Sequence, residues 1–314
     1  MKRALKFIVA GILLYILLRK VDFSSLSDLL HRLRWWTLPP VFVAMAGEII
    51  LSAWKWSQAL RMHALAYPYG YLLRTVCTGY FLNNFLPTSI GGDAYRVYRT
   101  VPQDGYRSRA VSAILVDRVL GILALLTMGA AGALWNLGSQ IAKTYLGIYC
   151  LGVIGAALGL AALFLGLFKP LVNKVRHLKA VDAVEHNLGR LRAARWEWLR
   201  QAILSLAFQS VSVSIVFWLF SQAGQPVSFS MCALIAAAAG IAALLPLSIN
   251  GIGLMEGSFV AMAVGLGVDY EQAVVVALLR RSMMLLQSLL CGLVYLSEPD
   301  KAATLLSRTA SSPP

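Results

Sequence analysis

The sequence is poor in charged residues. Asp, Glu, Lys and Arg together make up 13% of its 314 residues, whereas 59% of the residues are hydrophobic. Soluble domains usually contain about 25% charged residues, so this composition excludes an ordinary soluble domain. Several apolar runs are about 20 residues long, which lets a helix cross a hydrocarbon core of about 30 Å. We therefore predict an all-α polytopic membrane protein.

Residues that would hold a metal or perform catalysis are also scarce. The four cysteines lie singly, without C-x-x-C spacing, and the four histidines are scattered. This pattern favours neither a disulfide framework nor a metal site. The motifs G-x-x-x-x-G-K-[ST], H-E-x-x-H and G-x-S-x-G are absent;. We expect no catalytic residue, no metal and no cofactor, and we predict that the chain is not an enzyme.

The positive charge is concentrated between the apolar runs. The formal net charge is +14, and the basic segments are the N-terminus, 96–109 and 169–200. Basic loops of membrane proteins favour the cytoplasmic side and contact anionic phospholipid, so we do not expect nucleic acid as a partner. We predict an inner-membrane protein with both termini in the cytoplasm. The basic segment 19–34 is an exception to this topology, and a homodimer stays open.

Two similar segments interrupt the apolar runs. The first runs from Asn83 to Asp93 and the second from Leu245 to Glu256. Both read Leu-Pro-x-Ser-Ile-x-Gly, and an acid follows shortly after. Unpaired backbone groups cost several kcal/mol in hydrocarbon, so such breaks occur where they line a cavity or face protein. Paired broken segments in two halves of a chain are typical of transporter sites.

These features predict six full spans and two re-entrant helical hairpins, arranged as an inverted repeat. The first half covers 5–135, with its hairpin near 71–100. The second half covers 145–296, with its hairpin near 229–268. The segment 169–200 is expected to be a basic, amphipathic connection on the cytoplasmic side, within a single membrane domain of residues 1–314.

Four charged residues fall inside predicted spans as neighbouring pairs: Asp117 with Arg118, and Arg280 with Arg281. A charge at a helix centre costs about 2.5–3.5 kcal/mol, so we expect these side chains to face protein. We also expect Asp117 or Glu48 to meet an arginine of the other half. One interpretation is that these ion pairs have a purely structural role and hold the two halves together. Alternatively, one arginine is left to hold an anionic head group, because its planar guanidinium suits phosphate.

The two motifs offer further candidates. Their glycines permit unusual backbone conformations, and Asp93, Ser248 or Asn250 could cap the helix that follows. An exposed helix N-terminus attracts phosphate, so the motifs could bind a phosphate group. Alternatively, the glycines are needed only for tight turns and close helix packing. Asp93 and Glu256 could satisfy a helix dipole, couple protons or meet a cationic head group. Lys55 is expected to extend to the membrane interface.

The segment 83–96, which reads NNFLPTSIGGDAYR, resembles the membrane-embedded, flippase-like domain of lysylphosphatidylglycerol synthases. The resemblance continues through Asp117-Arg118, the second motif and Arg280, and covers nearly the whole chain. In full-length family members this domain moves aminoacylated phospholipid to the outer leaflet, and a separate cytoplasmic domain makes that lipid. The resemblance implies a stand-alone member that lacks the synthase domain. The family label phosphatidylglycerol lysyltransferase would therefore overstate its activity.

We predict that the protein moves a phospholipid or related lipid head group across the bilayer, with aminoacylated phosphatidylglycerol among the candidates. One alternative is a membrane subunit that presents lipid to a partner lysyltransferase or glycosyltransferase. Another is a secondary transporter of a small solute or ion. The residues expected to bind substrate are Asn84, Pro87, Ser89, Gly91, Gly92, Asp93, Arg96, Asp117, Arg118, Ser248, Asn250, Gly251, Gly253, Glu256, Arg280 and Arg281.

Overall fold

The computed structural model describes residues 15, 35–85, 91–100, 107–165, 191, 195–225, 227–245 and 248–296, and this part of the chain is helical without any strand. Its α-helices are α1 (Leu38–Arg61), α2 (Tyr69–Phe85), α3 (Gly91–Arg99), α4 (Arg107–Trp135), α5 (Gln140–Leu165), α6 (Arg195–Gln222), α7 (Phe229–Leu244), α8 (Leu254–Gly265) and α9 (Tyr270–Leu296). Short 3-10 turns precede α1 and connect α7 to α8.

Five of these helices, α1, α4, α5, α6 and α9, are long and apolar enough to cross a membrane. The prediction of an all-α, multi-pass membrane protein is therefore confirmed. The predicted first span, at the start of the first half, lies outside the described residues. So does most of the connection 169–200, although 195–200 form the first turns of α6. Helix α5 begins at Gln140, five residues before the predicted start of the second half, and the division into halves stays a prediction.

Local sequence explains several helix ends. Pro39 and Pro40 lie in the first turn of α1, where the missing N–H has no partner to lose;. After α1, Ala64 adopts a φ of 56° and turns the chain. At the start of α7, the Ser228 hydroxyl accepts a hydrogen bond from the Met231 N–H at 3.2 Å. The two prolines thus remove, and Ser228 satisfies, a backbone N–H that the helix leaves unpaired.

The described residues of both broken motifs lie where two antiparallel helices approach each other at their ends. In the first hairpin, Tyr71 near the start of α2 donates to the carbonyl of Arg99 at the end of α3. At the other end, the side chain of Asn83 accepts from the Gly92 N–H at 2.8 Å. In the second hairpin, α7 and α8 pack together, and Ser258 of α8 donates to a carbonyl of α7 at 3.1 Å.

Each hairpin packs against a long helix of the other half. Helix α4 packs against α7, and α9 packs against α2. A Cβ on Gly132 of α4 would lie 2.6 Å from the Ser230 carbonyl oxygen, and one on Gly292 of α9 would lie 2.8 Å from the Phe81 ring. Both contacts therefore require glycine. Helices α1 and α6 pack against each other, and α5 packs against α4.

Candidate functional site

The acid of the first motif pairs with an arginine of the following long helix. Asp93 lies in the first turn of α3, and the Arg118 Nε of α4 donates to its Oδ2 at 2.9 Å. The Asp93 side chain is 12% exposed, whereas that of Arg118 is 45% exposed. This ion pair therefore reaches the surface of the helical bundle through its arginine.

The second motif repeats this arrangement. Glu256, in the first turn of α8, pairs with Arg281 of α9, and their side chains are only 4% and 10% exposed. Glu256 and Arg281 are 25 positions apart, as are Asp93 and Arg118. The two acid–arginine pairs are therefore equivalent in sequence but differ in exposure.

A second carboxylate joins the first pair. Asp117 of α4 lies 3.2 Å from the Lys55 Nζ of α1 and 4.0 Å from the guanidinium of Arg96. Gln201 of α6 also donates to Asp117, at 2.8 Å. Lys55 is buried, so the expectation that it extends to the interface is wrong, because Asp117 holds its ammonium group inside the bundle. We refer to Lys55, Asp93, Arg96, Asp117 and Arg118 as the α4 cluster.

The second pair also has charged neighbours. Arg280 of α9 donates to the Ser212 hydroxyl of α6 at 2.9 Å. Glu48 of α1 lies near enough to Arg280 to interact with it electrostatically. Glu48 is thus a charged neighbour of an arginine of the other half, and direct pairing between them stays a prediction, whereas the cations that Asp117 meets belong to its own half. We refer to Glu48, Glu256, Arg280 and Arg281 as the α9 cluster.

The tips of the two hairpins touch through their asparagines. The Asn250 Nδ2 donates to the Asn84 Oδ1 at 2.6 Å. Asn250 has a φ of 47°, and Gly251 and Gly253 have φ values of 71° and 80°, in the left-handed region that glycine adopts easily;. Ser248 is buried and its hydroxyl finds no partner among the described residues. Pro87 and Ser89 lie outside the described residues.

The protein's own side chains occupy the start of both short helices. Asn83, which the sequence analysis did not select, accepts the Gly92 N–H of α3. Glu256 accepts the Gly253 N–H at 2.7 Å, in addition to pairing with its arginine. A Cβ on Gly92 would lie 2.1 Å from the Gly79 carbonyl oxygen. A phosphate would therefore have to compete with the Asn83 amide oxygen at the start of α3 and with the Glu256 carboxylate at the start of α8;.

Helix α6 carries a polar face that the sequence analysis also missed. Gln201, Ser205, Gln209 and Ser212 follow one another at intervals of three or four residues, so they lie on one side of the helix;. Gln201 reaches the α4 cluster, and Ser212 reaches the α9 cluster about 16 Å further along;. Ser205 is buried, and its hydroxyl has no partner among the described residues. This polar face could have been predicted from the sequence, because its polar residues recur at helical spacing within an apolar span.

A small pocket opens beside the α9 cluster. It has room for about one water molecule;. Its walls are Met255, Glu256, Phe259, Ala277, Arg280, Arg281 and Met284. The two arginines and the carboxylate give this pocket a charged wall, and the remaining residues are apolar.

The comparison with known proteins agrees with this architecture. No curated protein matches the chain. The family described as Lysylphosphatidylglycerol synthase TM region matches residues 3–292, which is nearly the whole chain. The chain therefore belongs to the family of the lysylphosphatidylglycerol synthase transmembrane region.

Proposed function

We propose that the protein moves a phospholipid, or a lipid with a related head group, between the two leaflets of the membrane. The observation that carries this proposal is the unequal exposure of two equivalent ion pairs. The Arg118 side chain is 45% exposed and that of Arg281 is 10% exposed. A site that is open on one side while its counterpart is closed is what alternating access requires.

The same pattern supports an inverted repeat. The motif acid and its arginine have equal spacing in both halves. The packing of α4 against α7 also mirrors the packing of α9 against α2. We propose that each half contains a span, a re-entrant hairpin and another span, preceded by one further crossing, which is the sequence-predicted span 5–18 in the first half and α5 in the second. In this layout the hairpin tips meet near the bilayer midplane, and both termini lie in the cytoplasm of an inner-membrane protein.

A lipid cargo explains the position of Arg118 better than a soluble solute does. Its residue lies about 16 Å along α4 from the first residue of that helix, within the apolar stretch that qualifies as a span;. A charge at such a depth is costly unless it meets a polar partner. A lipid head group can reach this arginine from the side while its acyl chains stay in hydrocarbon.

Transport would require the two clusters to exchange their accessibility. In the conformation described, the Asn84–Asn250 hydrogen bond joins the two hairpins. Opening at the α9 cluster, together with closure over Arg118, would transfer access to the other side. The polar face of α6 offers hydrogen bonds between the clusters. A negative-inside membrane potential contributes about 2.3 kcal/mol per charge per 100 mV and drives an anionic head group outward.

Vesicles that contain only this protein test the proposal. A phosphatidylglycerol analogue with a fluorescent label is placed in both leaflets, and its movement is followed by quenching the outer label. We expect Arg118→Ala and Arg280→Ala to abolish movement, and Arg74→Ala, which changes an exposed arginine of α2, to preserve it.

Absence of movement with folded wild-type protein would refute flipping. Undiminished movement in both cluster variants would show that these arginines have a structural role only. Movement without any other protein would also argue against a subunit that merely presents lipid to a partner enzyme.

A further inference from the structure

The two charged clusters differ in their balance of charge. The α9 cluster contains two arginines and two glutamates. Within the part of the chain that the structure describes, the α4 cluster contains three cations, Lys55, Arg96 and Arg118, and two carboxylates, Asp93 and Asp117. If all these groups are ionised, the α4 cluster has one positive charge in excess. A buried excess charge in an apolar surrounding is unfavourable and attracts an anion.

Arg96 is the cation with the weakest contacts in the α4 cluster. Its nearest carboxylate oxygens, on Asp93 and Asp117, lie 3.9 and 4.0 Å away. One of its amino groups donates to the Ser52 hydroxyl at 3.3 Å, and its Nε is buried without a partner among the described residues. By contrast, the Nε of Arg118 donates to Asp93 at 2.9 Å.

We propose that the α4 cluster binds the phosphodiester of a lipid head group with a net charge of minus one, and that Arg96 is its principal ligand. This inference rests on the proposed function and specifies its substrate class. A phosphate beside Arg96 would use the donor that now lacks a partner and would neutralise the cluster. The half-exposed side chain of Arg118 provides the edge past which the head group enters.

The charge of the head group then decides its affinity. A zwitterionic head group brings the same phosphate together with a cation, so the cluster keeps its excess charge. A lysylated head group brings a net positive charge and adds to the repulsion. The expected order of affinity is therefore phosphatidylglycerol, then phosphatidylcholine, then lysylated phosphatidylglycerol.

Calorimetry with short-chain lipids tests this order without requiring transport. Dihexanoyl phosphatidylglycerol and dihexanoyl phosphatidylcholine are titrated into the full chain in a non-ionic detergent at fixed salt. We expect phosphatidylglycerol to bind at least about tenfold more tightly, because both lipids offer the same phosphate but the choline cation would lie beside the excess positive charge of the cluster and be repelled by it. Arg96→Gln should weaken phosphatidylglycerol binding by about 10- to 100-fold.

Two further variants separate this site from general surface attraction. Arg74→Gln removes an exposed positive charge of α2 and should leave the preference unchanged. Lys55→Gln removes the excess charge without touching Arg96 and should abolish most of the preference. It also keeps the proposal testable if Arg96→Gln does not fold.

The outcomes distinguish this inference from the proposed function. Equal affinity of wild-type protein for the two lipids would overturn the inference even if the protein flips lipids. So would equal losses in Arg96→Gln and Arg74→Gln, or an intact preference in Lys55→Gln. A clear preference that Arg96 and Lys55 control, without any lipid movement, would instead support the anion site and refute flipping.

Discussion

Replacing Glu256 with glutamine should destabilise the protein far more than the equivalent change in the first motif. Glutamine keeps the size of the side chain and an oxygen that can accept the Gly253 N–H, so the change isolates the charge. It leaves Arg281, whose side chain is only 10% exposed, without its carboxylate. Removing one partner of a buried ion pair costs about 3–5 kcal/mol of the free energy of unfolding.

Asp93→Asn makes the same chemical change in the first hairpin. Its partner Arg118 is 45% exposed, and solvent or lipid head groups can compensate for the lost carboxylate. Pairs with this degree of exposure contribute about 1 kcal/mol or less. Each kcal/mol corresponds to about 2 °C in the melting temperature of a protein of this size. We therefore expect a decrease of about 6–10 °C for Glu256→Gln and about 2 °C for Asp93→Asn.

Thermal unfolding of purified protein in detergent measures both changes. Adding Arg281→Gln to Glu256→Gln removes the unpaired charge and should recover part of the lost stability. Equal decreases in the two single variants would refute the assignment of different burial to the two pairs. A double variant less stable than Glu256→Gln would show that the unpaired arginine is not the cause.

Two further predictions concern the first hairpin. Gly92→Ala should reduce both stability and lipid movement, because the new Cβ would lie 2.1 Å from the Gly79 carbonyl oxygen. Gly70→Ala is the control and should have little effect, because no atom lies within 4 Å of its new Cβ. Equal behaviour of the two variants in melting and transport would contradict the close contact at Gly92. Cys77 of α2 and Cys291 of α9 are free cysteines on two helices that pack together, so mild oxidation should link them and stop movement, as intact mass and transport would show. Linked protein that still moves lipid would show that this hairpin need not shift relative to α9.

The sequence predicted the helices closely because their signals are local. Apolar runs about 20 residues long predicted membrane-spanning helices, and five of the described helices are long and apolar enough to cross a membrane. The two motifs were recognised as breaks because proline and glycine disfavour a continuous helix. The motif acids and the arginines that follow were likewise selected from their position in apolar segments.

The partners of these residues could not be predicted, because they depend on contacts between distant segments. Asn84 and Asn250 are 166 positions apart, and Gln201 and Asp117 are 84 positions apart. No local pattern states which of several cations will neutralise Asp117. Lys55 was therefore assigned to the interface, although its position on α1 brings it to that carboxylate. Substrate binding by the selected residues stays a prediction.

The exchange of contacts between the halves has a consequence for biogenesis. Because α4 packs on α7 and α9 packs on α2, neither half contains the complete set of surfaces that bury its own glycines. When only the first half of a nascent chain has been inserted, its contact surfaces therefore stay exposed to lipid until the second half is inserted. Two polypeptides divided after Trp135 and produced in the same cell should therefore associate into one complex, whereas either fragment alone should be degraded.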